Sequence, residues 1–176
     1  SMEHPAPRRP ANGSDPLLVL LHGHGSNPSA VEAIGRALAG RTAATLWCPA
    51  GPWPVENGGD DGDDLRAWWR PDEDGPDPIA VDELVTALLA HDGAVHLAGF
   101  SQGAATALAV AAACSDAAPG VPSRLVVVAG FLAGDGAVPS RTEVLVVHGE
   151  TDEVVDPYHR SEEHTSELQS LAYLVC

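Results

Sequence analysis

The apolar residues of this chain fall into short blocks separated by turn-forming and polar stretches. Leu17–Leu21 is a continuous apolar run, the pattern of a strand covered on both faces within a parallel sheet. Ala43–Cys48, Ala94–Ala98, Leu125–Ala129 and Val144–Val147 repeat that pattern. Between them lie stretches with helical spacing. Pro28–Ala39 reads as a helix that Ser26 or Asn27 could cap, with Pro28 suited to its first turn and Gly40 to its end. Pro78–Ala90 reads as a helix that turns Ile79, Leu84, Leu88 and Leu89 inward, and Gln102–Cys114 as an Ala-rich helix. Strand alternating with helix predicts an α/β fold, a mostly parallel sheet with helices on both faces. The segment 49–77 interrupts this rhythm. It is rich in Pro, Gly and acidic residues, yet it carries Trp53, Trp68 and Trp69. A loop of that length in a compact domain is usually functional. Residues 1–16 read as a flexible arm, 17–159 as the folded domain and 160–176 as a tail of different character.

Composition narrows the function classes. A chain of 176 residues suits one domain, and 44% hydrophobic residues exclude a disordered one. No apolar run approaches the ~18–20 residues of a membrane-spanning helix. The net charge is −16 and the nine basic residues are all Arg, which opposes binding to nucleic-acid phosphates. Cys48, Cys114 and Cys176 are too few and too widely spaced for a disulfide framework or a metal knuckle. No clustered Cys/His set and no phosphate-cradling Gly loop with a Lys is found, so neither a metal nor an organic cofactor is expected. The N-terminus carries no charged-then-apolar signal segment, so a cytoplasmic protein is expected.

The sharpest chemical feature is Gly99-Phe100-Ser101-Gln102-Gly103, which follows a strand and opens a helix. Gly-x-Ser-x-Gly in that context is a nucleophile elbow: the tight turn lifts the Ser hydroxyl above the sheet at a helix N-terminus. There the helix dipole and free N–H groups favour a developing negative charge. His22-Gly23-His24-Gly25, directly after the first strand, stands where the second oxyanion donor belongs, so the backbone N–H groups of His24 and Gln102 are the expected oxyanion pair. For the His22 ring, hydrogen bonding within its own loop is the simpler expectation. Asp152, a few residues beyond the Val144–Val147 strand, is positioned to be the carboxylate that orients a catalytic imidazole, with Glu150 and Asp156 as rivals better explained as a solvated acidic loop.

Taken together, the motifs resemble the phospholipase/carboxylesterase branch of the α/β-hydrolases. The matching pieces are Leu21-His22-Gly23-His24-Gly25, Pro49-Ala50-Gly51-Pro52-Trp53, the Asn57-Gly58-Gly59 to Ala67-Trp68-Trp69 loop, Gly99–Ala104, Gly130-Phe131-Leu132 and His148–Asp152, in the family's order over roughly residues 17–158. The resemblance implies a serine esterase that acts on short carboxylic esters, thioesters or lysophospholipids through an acyl-Ser101 intermediate. It also implies that Trp53, Trp68, Trp69, Phe131 and Leu132 line the acyl or alcohol pocket, although packing of the long loop explains the tryptophans equally well. An acyltransferase with the same elbow is a further alternative, and a dienelactone hydrolase is disfavoured because the nucleophile position is Ser101 rather than Cys.

The C-terminal region departs from the family. The family's catalytic His lies about thirty residues beyond the Asp, in a Gly-His loop, whereas 24 residues follow Asp152 here. His24 and the last histidines, His159 and His164, are the candidate substitute bases, and none sits in that context. Back-translated, Arg160–Ser170 resembles a sequencing-library adaptor. The expectation is therefore a minimal, C-terminally truncated hydrolase with a non-native tail, and a catalytically impaired fragment is the alternative function. Such a chain should expose a sheet edge at Val144–Val147 and self-associate through that edge or through the apolar Leu171–Cys176. The stretch Ser161–Leu174 is expected to be helical, with a surrogate last strand as the alternative.

Overall fold

In the computed structural model, the described residues are 13–56, 64–129, 141–148 and 171–175. The chain runs β1 (Leu17–Leu21), α1 (Pro28–Thr42), β2 (Thr45–Trp47), β3 (Trp53–Pro54), β4 (Arg66–Ala67), α2 (Pro78–Leu89), β5 (Val95–Phe100), α3 (Gln102–Ala117), β6 (Arg124–Val128), β7 (Glu143–His148) and β8 (Leu171–Val175). Six of these strands form one sheet in the order β2-β1-β5-β6-β7-β8, and every neighbouring pair in it is parallel. β3 and β4 form a small antiparallel ribbon inside the long segment that sequence reads as loop.

Pleating sends alternate strand residues to opposite faces. Leu17, Val19 and Leu21 of β1, Val95 and Leu97 of β5, and Leu125 and Val127 of β6 belong to the larger core, with Ala104, Ala107, Val110, Ala111 and Cys114 of α3 and Leu84 and Leu88 of α2. Leu20 and Ala98 point the other way, toward Val31 of α1, with Leu46 and Phe100 beside them. The sheet is thus covered on both faces, as the strand runs imply. Burial of a Leu or Val side chain contributes about 1.5–3 kcal/mol, so these two layers carry the fold.

The elements differ from expectation in several places. Asn27, not Ser26, caps α1: its side chain accepts from the Ala30 N–H at 3.1 Å. The helix runs past Gly40 to Thr42 and ends at Ala43, which takes the left-handed conformation at φ 53°. In α2 only the narrow stripe Ala80, Leu84 and Leu88 is buried, while Ile79 is 70% exposed. Leu171–Val175, expected to be helical, is a strand in register with β7, Val144 opposite Leu171 and His148 opposite Val175. The β7 edge expected to be open is therefore paired. The ladder groups of an edge strand are a template, and an apolar five-residue run can satisfy them without forming a helix. Residues 1–12 of the expected N-terminal arm and residues 149–170, which include most of the expected tail, lie outside the described residues. Among the described residues no helix is long and apolar enough to cross a membrane.

Candidate active site

Ser101 occupies the turn between β5 and α3. Its backbone sits at φ 52° and ψ −116°, in the positive-φ region that a residue with a Cβ rarely adopts. The sequence permits this because both flanking glycines are required by space. A Cβ on Gly99 would lie 2.3 Å from the Gly103 carbonyl oxygen, and one on Gly103 would lie 2.3 Å from the His22 carbonyl oxygen. The turn is pinned from below, where the Ser101 N–H donates to the Val128 carbonyl of β6 at 2.9 Å. Gln102 is the first residue of α3, so its N–H has no partner within the helix and stands beside the serine.

The β1–α1 loop closes on this turn. A Cβ on Gly23 would meet the Phe100 carbonyl oxygen at 3.4 Å and the Ser101 Cβ at 3.6 Å, so the loop backbone passes directly over the elbow. His24 follows at an exposed turn, with Gly25 at φ 66°. The loop is held by β4: the Gly25 N–H donates to the Arg66 carbonyl at 3.0 Å and the Arg66 N–H to the Ser26 carbonyl at 2.7 Å.

His22 is fully buried. Its Nε2 accepts the Gly51 N–H at 2.9 Å, which leaves Nδ1 to donate to the Gly23 carbonyl at 2.8 Å. Burial, with a smaller contribution from the Arg66 cation, holds its pKa below the usual histidine value against the opposing Gly23 hydrogen bond. The ring is a neutral structural group, as its loop position suggests.

Trp68 is also buried, with its ring 5.3 Å from that of His22. Its indole Nε1–H donates to the His22 carbonyl at 2.8 Å, and its backbone N–H donates to Gln102 Oε1 at 2.8 Å. Gln102 Nε2 donates in turn to the Trp69 carbonyl at 3.4 Å. Packing of the long loop thus accounts for Trp68 and Trp69, which lie in the main core. Trp53 is half-buried; its Nε1–H donates to Asp77 Oδ2 at 3.1 Å, and the Arg70 guanidinium lies 4.7 Å above its ring. Asp77 also caps α2, accepting from the Ile79 N–H at 2.8 Å. Arg66 forms an ion pair with Asp64, its Nη2 donating to Oδ2 at 2.9 Å. The roles of the Gln102 side chain, Gly51 and Arg66 were not foreseen. Their sequence signals are the Gln, rather than a small or apolar residue, after Ser101 and the place of Gly51 within Pro49–Trp53.

The expected site divides accordingly. Ser101, Gln102 and the Gly23 backbone that precedes His24 come together at the carboxyl end of the sheet, where open α/β folds place their ligands. Phe100 of β5 is paired with Val128, and Val128 with Val147 of β7. The chain thus leaves β7 two strand spacings, roughly 10 Å, from the elbow. Asp152, Glu150, Asp156, His159, His164, Phe131 and Leu132 lie outside the described residues. Among the described residues no group of three or more His, Cys, Asp or Glu could hold a metal ion. Burial pushes the thiols of Cys48 and Cys114 up to about 11, which leaves both protonated and poorly nucleophilic at neutral pH.

A doubly covered parallel sheet with a strained serine between strand and helix defines an α/β-hydrolase of the serine type. Residues 15–170 match the model of the family described as "Serine hydrolase (FSH1)", and the chain belongs to that family. Its solved structural relatives share the fold at low identity. Esterase PE8 is 20% identical with a TM-score of 0.65, over 97% of this chain and 86% of that one. Acyl-protein thioesterase 2 of Zea mays is 24% identical with a TM-score of 0.66, over 96% and 87%. The carboxylesterase of Mesorhizobium loti is 20% identical with a TM-score of 0.61, over 93% and 79%. No curated protein matches the chain.

Proposed function

We propose that the chain hydrolyses small carboxylic esters, including thioesters or lysophospholipids, through an acyl-Ser101 intermediate. The observation that carries this reading is the Ser101 backbone at φ 52° and ψ −116° on the N-terminus of α3. Such strain persists only where surrounding structure enforces it, and here it presents a hydroxyl at the positive end of a helix. Ser101 Oγ attacks the substrate carbonyl carbon and gives its proton to a base. The carbonyl oxygen becomes an oxyanion that the Gln102 and His24 N–H groups hold. Collapse of the tetrahedral species breaks the acyl–oxygen or acyl–sulfur bond, and the leaving group takes the proton. Water then repeats the attack on the acyl-enzyme.

In this reading Asp152 orients the base, His159 or His164 supplies it, and Trp53, Phe131 and Leu132 line the pocket. The relatives described as esterases and a thioesterase support the choice of acyl chemistry. A cytoplasmic location and self-association belong to the same reading. The test is turnover of p-nitrophenyl acetate by the chain beside Ser101→Ala. Multiple turnovers lost in the variant support the reading. Equal rates overturn it, and a single stoichiometric burst means that the acyl-enzyme forms without a base to release it.

A further inference from the structure

We propose that His22, Gly51, Trp68 and Gln102 form a buried hydrogen-bonded frame whose work is to fix the two oxyanion donors, with Trp68 and the Gln102 side chain as positioning residues. The proposal rests on the ester-hydrolase reading and deepens it. Four separate chain segments meet in this frame. The His22 ring takes the Gly51 N–H, and its carbonyl takes the Trp68 indole N–H. The Trp68 backbone N–H is taken by the Gln102 side chain, which also reaches the Trp69 carbonyl. The His22 carbonyl oxygen is also the atom that a Cβ on Gly103 would strike, so the loop rests on the elbow itself. The result is a bridge from the loop of one donor, His24, to the residue that carries the other, Gln102. The bridge thus ties the base of the His24 loop to the Gln102 side chain.

The bonds lie out of water, where an amide or indole N–H left unpaired costs the full desolvation of the group. Low-energy alternatives are therefore few, and the loop has one arrangement. An oxyanion hole needs that property, because its donors must already point at the place where charge develops. A misplacement of about 1 Å can cost on the order of 10²-fold in rate.

The frame acts on the transition state and not on ground-state binding, so its loss should appear in kcat and not in KM. Trp68→Phe keeps the ring against His22 and deletes the indole donor. Gln102→Met keeps the length and deletes both amide bonds. Each should lower kcat on p-nitrophenyl acetate by about 10–100-fold with KM within about threefold. Ser123→Ala, which removes hydrogen bonds at the far end of the sheet, should leave kcat within twofold. Trp68→Phe that is folded and retains kcat overturns the proposal. So does a raised KM with kcat intact, which would make Trp68 a pocket wall.

If Trp68→Phe does not fold, Gln102→Met decides by the same criteria. Amide hydrogen exchange separates this proposal from the reading beneath it. The frame requires the Gly51 and Gly25 amides to exchange at least about tenfold faster in either variant, whether or not the chain turns over ester. Unchanged exchange overturns the frame. Faster exchange in a chain that shows no Ser101-dependent turnover upholds the frame as the holder of the loop and overturns the ester reading alone.

Discussion

At the carboxyl end of the sheet Ser101 stands on a positive-φ turn, with a helix N-terminus beneath it. At the amino end the Ser123 hydroxyl donates to the Val95 carbonyl at 3.0 Å and lies 3.2 Å from His96 Nδ1. A search for a serine next to a histidine would select the second pair. Yet the Ser123 hydroxyl proton is already given to a backbone carbonyl, and a plain strand follows it rather than a helix. A nucleophile is recognised by its backbone and its electrostatic surroundings before its neighbours. The Ser123–His96 contact joins β5 to the chain entering β6 and does no more.

The strongest way to break this comparison is to exchange the two serines for alanine. Ser101→Ala should lower Ser-dependent ester turnover by about 10³-fold or more, whereas Ser123→Ala should leave it within twofold. Equal losses measured by p-nitrophenol release would put the chemistry at neither end. Next in size is the packing beneath the elbow. Gly103→Ala places a Cβ 2.3 Å from the His22 carbonyl oxygen and 2.5 Å from that of Leu21. It should destabilise the fold by about 3 kcal/mol in urea titration, near the upper end for overpacked sites. A loss below about 1 kcal/mol would mean that the loop can retreat.

The two ends also differ in how acid reaches them. Burial holds both His22 and His96 below the usual histidine pKa, with Arg66 adding to the effect at His22 and Arg124 at His96. Each folded state therefore binds its proton less readily than the unfolded chain. Stability from each group is full above the unfolded value of about 6.5 and is lost as pH falls from there through the folded value. His22→Gln and His96→Gln should each flatten the acid limb of a stability–pH curve. Of these two histidines, His22 alone should also slow the reaction when protonated, because a protonated Nε2 cannot accept the Gly51 N–H. A rate profile that His96→Gln alters as much as His22→Gln would contradict this.

A smaller effect concerns strain. Ser101→Gly relieves the positive φ and should stabilise the fold by about 1 kcal/mol while abolishing activity, read as a higher midpoint in thermal denaturation. An unchanged midpoint would mean that the turn stores little energy. The smallest belongs to the amino end. Arg124 and Glu143 pair at 2.9 Å with both side chains about two-thirds exposed, so Glu143→Gln should cost less than about 0.5 kcal/mol.

Much of this fold is legible in the sequence because parallel strands leave uninterrupted apolar runs. Leu17–Leu21 and the Ala94–Ala98 run that holds most of β5 need no context to be recognised. The elbow is legible because its steric demand can be met only by glycine at 99 and 103. Other features yield to context. Gly40 looks like a helix stop, yet an exposed interior glycine costs only about 1 kcal/mol and α1 continues past it. Ile79 and Leu89 fit a broad apolar stripe, but α2 rests on α3 through a narrower one, so Leu84 and Leu88 alone of the four are buried. Leu171–Val175 takes its state from a partner strand, which no local pattern encodes. The bridge through His22, Gly51, Trp68 and Gln102 is invisible for the same reason: each residue is ordinary alone.

That bridge also sets an order on events as the chain folds. Its bonds join residues separated by 29, 46 and 34 positions, and the bridge is complete only once β1, the long loop and α3 have met. Contacts of such separation close late, after local helices and neighbouring strands. A chain emerging from denaturant should therefore regain helix signal before it regains any capacity to acylate Ser101. A partly folded molecule, with its hydrophobic surfaces still open to other chains, holds a serine that does nothing to the esters around it. On the proposed reading, the reactive centre should be the last part of the molecule to mature.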